Sequence, residues 1–470
     1  MDLKARLDAL RRQSGAAPAA RLATPDAGVP DDASSPVSAP SLADESREDL
    51  RSRLRRLAGR VGSGPSAAAA AGGGRFPAPG PGVHRSGPSR RGTPVPAAVL
   101  ADQLGGQVVA EHLVLVETVL PPHAMHGRRR LADALESLWP LAISAPTPPP
   151  QAGEGLYSLL PPAREAPGGR VLGIDTETTG LAGGTGTAAF MVGIAEPGLD
   201  GVRLRQWLLT AFAGEAAMLA ELDAALAGAG LLVSYNGKTF DLPLLRDRRR
   251  LQRAPAFPEP PHLDLLHPTR RLFRGVWPDC RLVTAEQRLL GLFREDDLPG
   301  SEAPRAWRDY LAGGTPDDLG RVLRHNALDV LSLLLLGPVL ARALHDPLGF
   351  GADPLAAADA WSRRGESRRA LTVLERARHG LDVRGALELA RRLRRAGRWT
   401  EAVAVWERLA QSGCPEAVES LAKYHEHVRR DWETALDYTA RLGEGPEARR
   451  RRGRLERRRG GVQGRLDLAE

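Results

Sequence analysis

The stretch Ile174-Asp175-Thr176-Glu177-Thr178-Thr179-Gly180 closes an apolar run that begins at Arg170. Successive side chains on a strand point to opposite faces, so Asp175 and Glu177 are expected on one face of it. Two carboxylates held that close repel each other unless a cation lies between them. Hard oxygen ligands on a rigid strand suit Mg²⁺ or Mn²⁺. A strand end carrying two solvated acids is the plainer alternative. It is weakened by the position of the pair, directly after an apolar run and before a glycine turn.

Working outward, residues 170–175, 188–195 and 202–209 read as three strands whose short connections favour antiparallel pairing. Residues 215–226 show helical spacing and 231–235 a fourth strand. Helices follow over about 242–251, 284–290 and 319–336. Two further acids lie along this path. In Tyr235-Asn236-Gly237-Lys238-Thr239-Phe240-Asp241 a strand enters a tight turn and Asp241 opens a helix, where a carboxylate is also locally comfortable. Asn236 can brace that loop and Lys238 can touch a phosphate, although an exposed surface lysine reads equally well. In Arg324-His325-Asn326-Ala327-Leu328-Asp329-Val330, His325 and Asp329 stand one helical turn apart and face the same way. The apolar residues after Asp329 place it at the rim of a core, where a carboxylate needs a partner and a metal ion supplies one. His325 is then a candidate general base for a metal-bound water, weighed against ordinary packing of a lone histidine.

The order and spacing of these blocks are more specific than any one of them. Together they resemble the DEDD superfamily of 3′-to-5′ exonucleases, and DTETTGLAGGTGTAAFMVGIAE, YNGKTFDLPLL and HNALDVLSL resemble the YprB-type ribonuclease-H-like family within it. The resemblance implies a ribonuclease-H-like mixed α/β sheet flanked by helices, with Asp175, Glu177, Asp241 and Asp329 as metal ligands. It further implies two Mg²⁺ or Mn²⁺ ions, a nucleic-acid substrate (DNA or RNA), and stepwise release of nucleoside monophosphates from a 3′ end. Glu177 and His325 are the expected catalytic pair. Thr178, Thr179, Asn236 and Lys238 are the expected substrate contacts. One departure stands out. The histidine branch of the superfamily places its histidine five residues before the last aspartate and the tyrosine branch its tyrosine four before, so His325 occupies the tyrosine-type position. Two other readings compete: a ribonuclease-H-like endonuclease, and a weakly active or inactive nucleic-acid-binding adaptor.

Two lookalikes are set aside. Gly183-Gly184-Thr185-Gly186 lacks the Lys-Ser/Thr ending of a phosphate loop and reads as a turn. In His262-Leu263-Asp264-Leu265-Leu266-His267 apolar residues interleave the polar ones as on a strand, which favours a structural Asp264 with a supporting role toward the site left open.

The rest of the chain frames this core. Residues 1–95 are rich in Ala, Pro, Gly and Ser and read as a disordered arm. The arm holds two short amphipathic segments, at residues 2–10 and 49–57. Residues 96–160 read as a small β-rich annex, 161–346 as the catalytic domain and 347–445 as an all-α repeat domain. In the last, Ala370, Ala402 and Ala435 recur at intervals of 32 and 33, close to the roughly 34-residue period of tetratricopeptide helix pairs. Such repeats, or the N-terminal helices, are candidate docking sites for a protein partner. Residues 446–470 form an Arg-rich tail, read as a solvated helix end or a nucleic-acid contact. The net charge of +8 fits an anionic partner without specifying one. Two distant cysteines offer neither a zinc spacing nor a disulfide framework. No apolar run is long enough for a membrane span, because Leu331 to Leu336 is bounded by Asp329 and Pro338. A cytoplasmic protein with no membrane contact is expected.

Overall fold

The computed structural model describes residues 92–135, 155–159, 169–180, 186–255 and 260–466, with side chains to 460. The two amphipathic N-terminal segments and most of the Gly183–Gly186 turn lie outside them. Among the described residues the chain divides into two compact units. One takes residues up to 157 with 164–267 and 281–339, and the other takes 158–163, 268–280 and 340 onward.

The first unit is a seven-stranded mixed sheet. After helix α1 (Ala97–Leu104) come β1 (Gln107–Ala110) and β2 (Leu113–Leu120), then a two-stranded hairpin, β3 (Met125–His126) with β4 (Arg129–Arg130). The main strands are β5 (Arg170–Thr178), β6 (Ala189–Gly198) and β7 (Gly201–Leu209), followed by α2 (Glu215–Leu226), β8 (Ala229–Ser234), α3 (Asp241–Gln252) and β9 (His262–Asp264). The sheet runs β1-β2-β7-β6-β5-β8-β9, and only β5–β8 and β8–β9 are parallel. The strands expected from the alternating pattern are present and longer than read.

Of the expected 96–160 annex, the described strands β1 and β2 join the main sheet: β2 pairs with β7 along its whole length, from Leu113↔Leu209 to Leu120↔Val202, and β1 forms the sheet's edge. Pairing partners this far apart leave no local trace in a sequence.

Helices α4 (Leu266–Phe273), α5 (Leu282–Ala285, continued as a π-helical turn Glu286–Leu290), α6 (Ala303–Leu311) and α7 (Asp317–His345) follow. Trp307 anchors α6. Its ring stacks on Phe190 at 5.1 Å, meets Phe212 edge-on, and donates its N–H to Leu209 O at 2.6 Å. Helices α2 and α3 are tied by the buried Arg248–Glu215 pair and by Arg249–Asp223.

Helix α7 corrects two expectations. It passes through Pro338 instead of ending before it. Leu333 to Leu336 and Val339 to Ala341 are buried on both sides of the proline, so packing offsets the lost hydrogen bond. Run through in this way, α7 is long and apolar enough to cross a membrane by length and composition. However, 78% of its most apolar window is buried inside the protein, as in any core helix.

Two glycines set how α7 lies on the sheet. A Cβ at Gly173 would come 3.0 Å from Val330 O, and one at Gly193 would come 1.9 Å from Asn326 Oδ1. Only glycine permits that approach. It brings the middle of α7 against β5 and β6, beside Asp175.

The second unit is helical. The pairs α8 (Pro354–Arg363) with α9 (Ser367–Arg376), α10 (Val383–Arg395) with α11 (Trp399–Gln411), and α12 (Pro415–Tyr424) with α13 (Trp432–Ala440) are followed by α14 (Pro446–Leu466). The periodic Ala370, Ala402 and Ala435 are each fully buried on the second helix of a pair, where only a small side chain fits between helices. The Arg-rich stretch is a helix whose Arg454 and Arg451 reach Glu426, a residue fully buried in a π-helical turn.

Candidate active site

Strand β5 ends at the site. Asp175 stands opposite Gly193, Glu177 stands opposite Met191, and a register shift follows Glu177. Asp241 enters from the first turn of α3 and Asp329 from the middle of α7. Thr176 donates a hydrogen bond from its hydroxyl to Asp241 Oδ1, linking the strand to the α3 loop. Glu177, Asp241 and Asp329 are each less than a tenth exposed.

Their proton affinities show how closely these acids bear on one another. Burial raises the Asp175 carboxyl well above its usual range, and the charges of Asp329, Asp241 and Glu177 push it further, against the Asn326 hydrogen bond. Glu177 is pushed up to about 8 by burial and by Asp329 and Asp241, against the pull of His325. Asp241 rises to about 6 through burial, with the Thr176 hydrogen bond opposing. A buried group of four acids short of counter-charge is chemistry suited to a hard divalent cation.

The geometry is more particular. Arg294, on the loop after the π-helical turn, donates from Nη2 to Asp329 Oδ1. It also grips Glu286 through Nε at 2.8 Å and Nη2 at 2.6 Å, and reaches Asp297 from Nη1 at 3.1 Å. Among the described residues no three His, Cys, Asp or Glu side chains stand ready to grip one ion as arranged. The donor set therefore fits the metal in its chemistry, and the Arg294 contact at Asp329 must yield for that carboxylate to serve.

His325 sits where the sequence placed it, one turn from Asp329, with Nε2 3.5 Å from Asp329 Oδ2. Its Nδ1 lies 2.8 Å from Asp297 Oδ2. Burial alone would lower its proton affinity, but the Asp297 hydrogen bond and the charges of Asp329 and Glu177 outweigh it and raise it to about 9.

Of the other expected contacts, Asn236 and Lys238 are exposed on the loop ahead of α3. Their backbone N–H groups donate to Asp264 at 2.8 and 3.0 Å, and Leu266 N donates to the same carboxylate. Asp264 thus braces the loop that delivers Asp241. Thr178 and Thr179 turn their hydroxyls to Gly180 O and Ala188 N, holding the end of β5.

Several residues at the site were given no role there by the sequence reading. Asn326, fully buried, donates to Asp175 Oδ2 at 2.9 Å and accepts from Gln206 Nε2 at 3.0 Å. Behind Arg294, Ser332 Oγ donates to Glu286 Oε1 at 2.5 Å and lies 2.7 Å from His126 Nε2. Since the serine proton goes to Glu286, His126 is the donor in the second bond. It is a neutral imidazole, its proton affinity lowered to about 3 by burial and the charge of Arg294. Only the acid-rich Phe293-Arg294-Glu295-Asp296-Asp297 stretch hinted at any of this, as a lone arginine among acids.

Comparison with known proteins agrees with this fold. The profile of the RNase_H superfamily matches residues 172–341, the span from β5 through most of α7. YprB of Bacillus subtilis (strain 168), an uncharacterized protein, is 36% identical over 279 residues, which is 56% of this chain and 66% of that protein, just under two thirds. A solved family B DNA polymerase from the hyperthermophilic archaeon Pyrobaculum calidifontis is similar at a TM-score of 0.30 and 16% identity, over 44% of this chain and 29% of the polymerase, too little to argue from. With its mixed sheet and its superfamily match over β5 to α7, the chain has a ribonuclease-H-like fold, and by its identity to YprB it is similar to the YprB-type family.

Proposed function

We propose that this protein is a metal-dependent 3′-to-5′ exonuclease that hydrolyses phosphodiesters of DNA or RNA. The observation that carries the reading is the meeting of Asp175, Glu177, Asp241 and Asp329 from three separate elements, three of them with raised proton affinity. Structural ion pairs lower a carboxylate's proton affinity, whereas a pooled negative charge marks a site that awaits a cation. These four residues would hold two Mg²⁺ or Mn²⁺ ions, which when bound supply Lewis acidity at the scissile phosphate.

The remaining work falls to the chain's own groups. Asn326 fixes the Asp175 carboxylate, and Thr176 fixes that of Asp241. Asp297 holds His325 by Nδ1, so that Nε2 is the nitrogen turned toward the acids; cations on those acids would offset the charge that keeps Nε2 protonated, and the neutral ring would then take a proton from the attacking water. Water adds to phosphorus, the bond to the 3′ oxygen breaks, and a nucleoside monophosphate leaves. Asn236 and Lys238, exposed on the Asp264-braced loop, are positioned to meet substrate phosphates. The helix pairs of the second unit, read as tetratricopeptide-like, are assigned to a protein partner.

The test uses 5′-labelled single-stranded DNA and RNA with Mg²⁺ or Mn²⁺, comparing wild type with an Asp175→Ala/Asp329→Ala variant. A metal-dependent ladder shortening from the 3′ end and absent in the variant is expected. Internal fragments would replace the reading with an endonuclease. Intact substrate throughout would replace it with a binding adaptor.

A further inference from the structure

Apart from His325, Arg294 is the one cation in contact with the Asp329 carboxylate among the described residues. Its side chain is 5% exposed. Its guanidinium is shared unequally. Glu286, fully buried, takes two parallel hydrogen bonds through Nε and Nη2, the fork-to-fork geometry that fixes an arginine most firmly. Glu286 is itself oriented by Ser332, and Ser332 by His126. Asp329 takes a single bond, from the outer edge of Nη2. Loss of the Asp329 contact would therefore leave the arginine anchored on Glu286 and Asp297.

We infer that Arg294 is a resident counter-ion of the carboxylate cluster, which a divalent cation must displace from Asp329, so that Arg294 sets how tightly the site takes its metal. This rests on the exonuclease reading only in taking the four acids as metal ligands. In the metal-free protein the guanidinium offsets negative charge that would otherwise be uncompensated in a buried site. When the ion enters, it competes with a positive charge held in contact with one of its own ligands. The Glu286–Ser332–His126 chain keeps that charge in place, and makes Arg294 an affinity-setting residue with no need to touch substrate.

The experiment is a titration of Mn²⁺ into the full-length protein, following the free ion by its paramagnetic resonance signal, for wild type, Arg294→Gln and Arg294→Lys. Removing a unit positive charge beside a divalent site is expected to tighten Mn²⁺ binding by at least about tenfold in Arg294→Gln. In Arg294→Lys, which keeps the charge, affinity is expected to stay near wild type. If Arg294→Gln does not fold because Glu286 is left unpaired, the Glu286→Gln/Arg294→Gln variant removes both charges and is titrated instead. Unchanged or weaker Mn²⁺ binding in a folded charge-neutral variant would overturn the inference, as would the absence of Mn²⁺ binding by every protein. The exonuclease reading is scored separately, by the ladder. Wild-type cleavage with no gain in affinity sinks only the role of Arg294, and a gain in affinity without cleavage sinks only the exonuclease.

Discussion

Two π-helical turns, Glu286–Leu290 and His425–Arg429, each carry a glutamate with no exposed surface, Glu286 and Glu426. Each turn ends in a left-handed residue, Gly291 at φ 64° and Arg430 at φ 56°. Their surroundings differ in charge. Glu426 has Arg454 on both oxygens at 2.7 and 2.8 Å, with Arg451 and Arg458 each 3.6 Å away. Burial works upward on its carboxyl, but Arg454 outweighs it and holds the group below the usual range. Glu286 has Arg294 alone, shared with Asp329 and Asp297, and its carboxyl stays raised by burial. Burial of an acid is therefore not what separates the two places. An acid given its own surplus of arginines pins a helix. Acids that must share one arginine are left short of counter-charge.

The same substitution at two glutamates should have opposite consequences, and this is the strongest way to break the comparison. Glu177→Gln is expected to lower the exonuclease kcat by about a hundredfold or more, while raising the melting temperature of the metal-free protein at pH 9, where it removes a repelled charge. Glu426→Gln is expected to leave kcat unchanged and to cost about 2–3 kcal/mol, below the usual range for a broken buried pair because Arg454 and Arg458 are partly exposed. Thermal unfolding with and without EDTA, together with steady-state rates, reads both. Equal losses of stability at the two positions would remove the distinction.

Next in size is Gly193→Ala. Its Cβ would collide with Asn326 Oδ1, the residue that holds Asp175. A loss of about 1–3 kcal/mol is expected from overpacking, with a fall in kcat larger than any change in KM. A variant with wild-type rates would show that Asn326 does not position Asp175.

The third prediction concerns pH. In the folded, metal-free protein Glu177, Asp241 and His325 bind protons more tightly than in the unfolded chain, with values of about 8, 6 and 9. The stability they contribute is thus fully present at low pH and is lost as pH rises through those values. Melting temperature in EDTA should fall between pH 6 and 9, and saturating Mn²⁺ should flatten the fall. A curve rising over that window would mean that the acids are not short of counter-charge.

The smallest effect is expected at Arg430. It stands where the first two helix pairs place Gly365 and Gly397, at φ 79° and 77°, and it adopts the same left-handed backbone. Arg430→Gly should stabilise the protein by about 0.5–1 kcal/mol, measured by denaturant unfolding, because glycine reaches that region without the Cβ clash.

Much of this was legible in the chain itself. Alternation placed Asp175 and Glu177 on one strand, the helical turn placed His325 beside Asp329, and the repeated alanines marked three helix pairs, because each pattern is confined to a few neighbouring residues whose geometry the backbone fixes. The pairing of β2 with β7 was not legible, nor was the course of α7 through Pro338, because distant packing decides both.

The sequence alone therefore determined which acids the candidate site would contain, their order, and the α/β succession that carries them. Tertiary structure decided what each acid is paired with. Asn326 meets Asp175 across 151 residues, His126 meets Ser332 across 206, and Arg294 reaches Asp329 across 35. Charge balance in a buried site is a sum over everything within a few ångströms, and proximity of that kind is set by how helix and sheet pack and not by spacing along the chain.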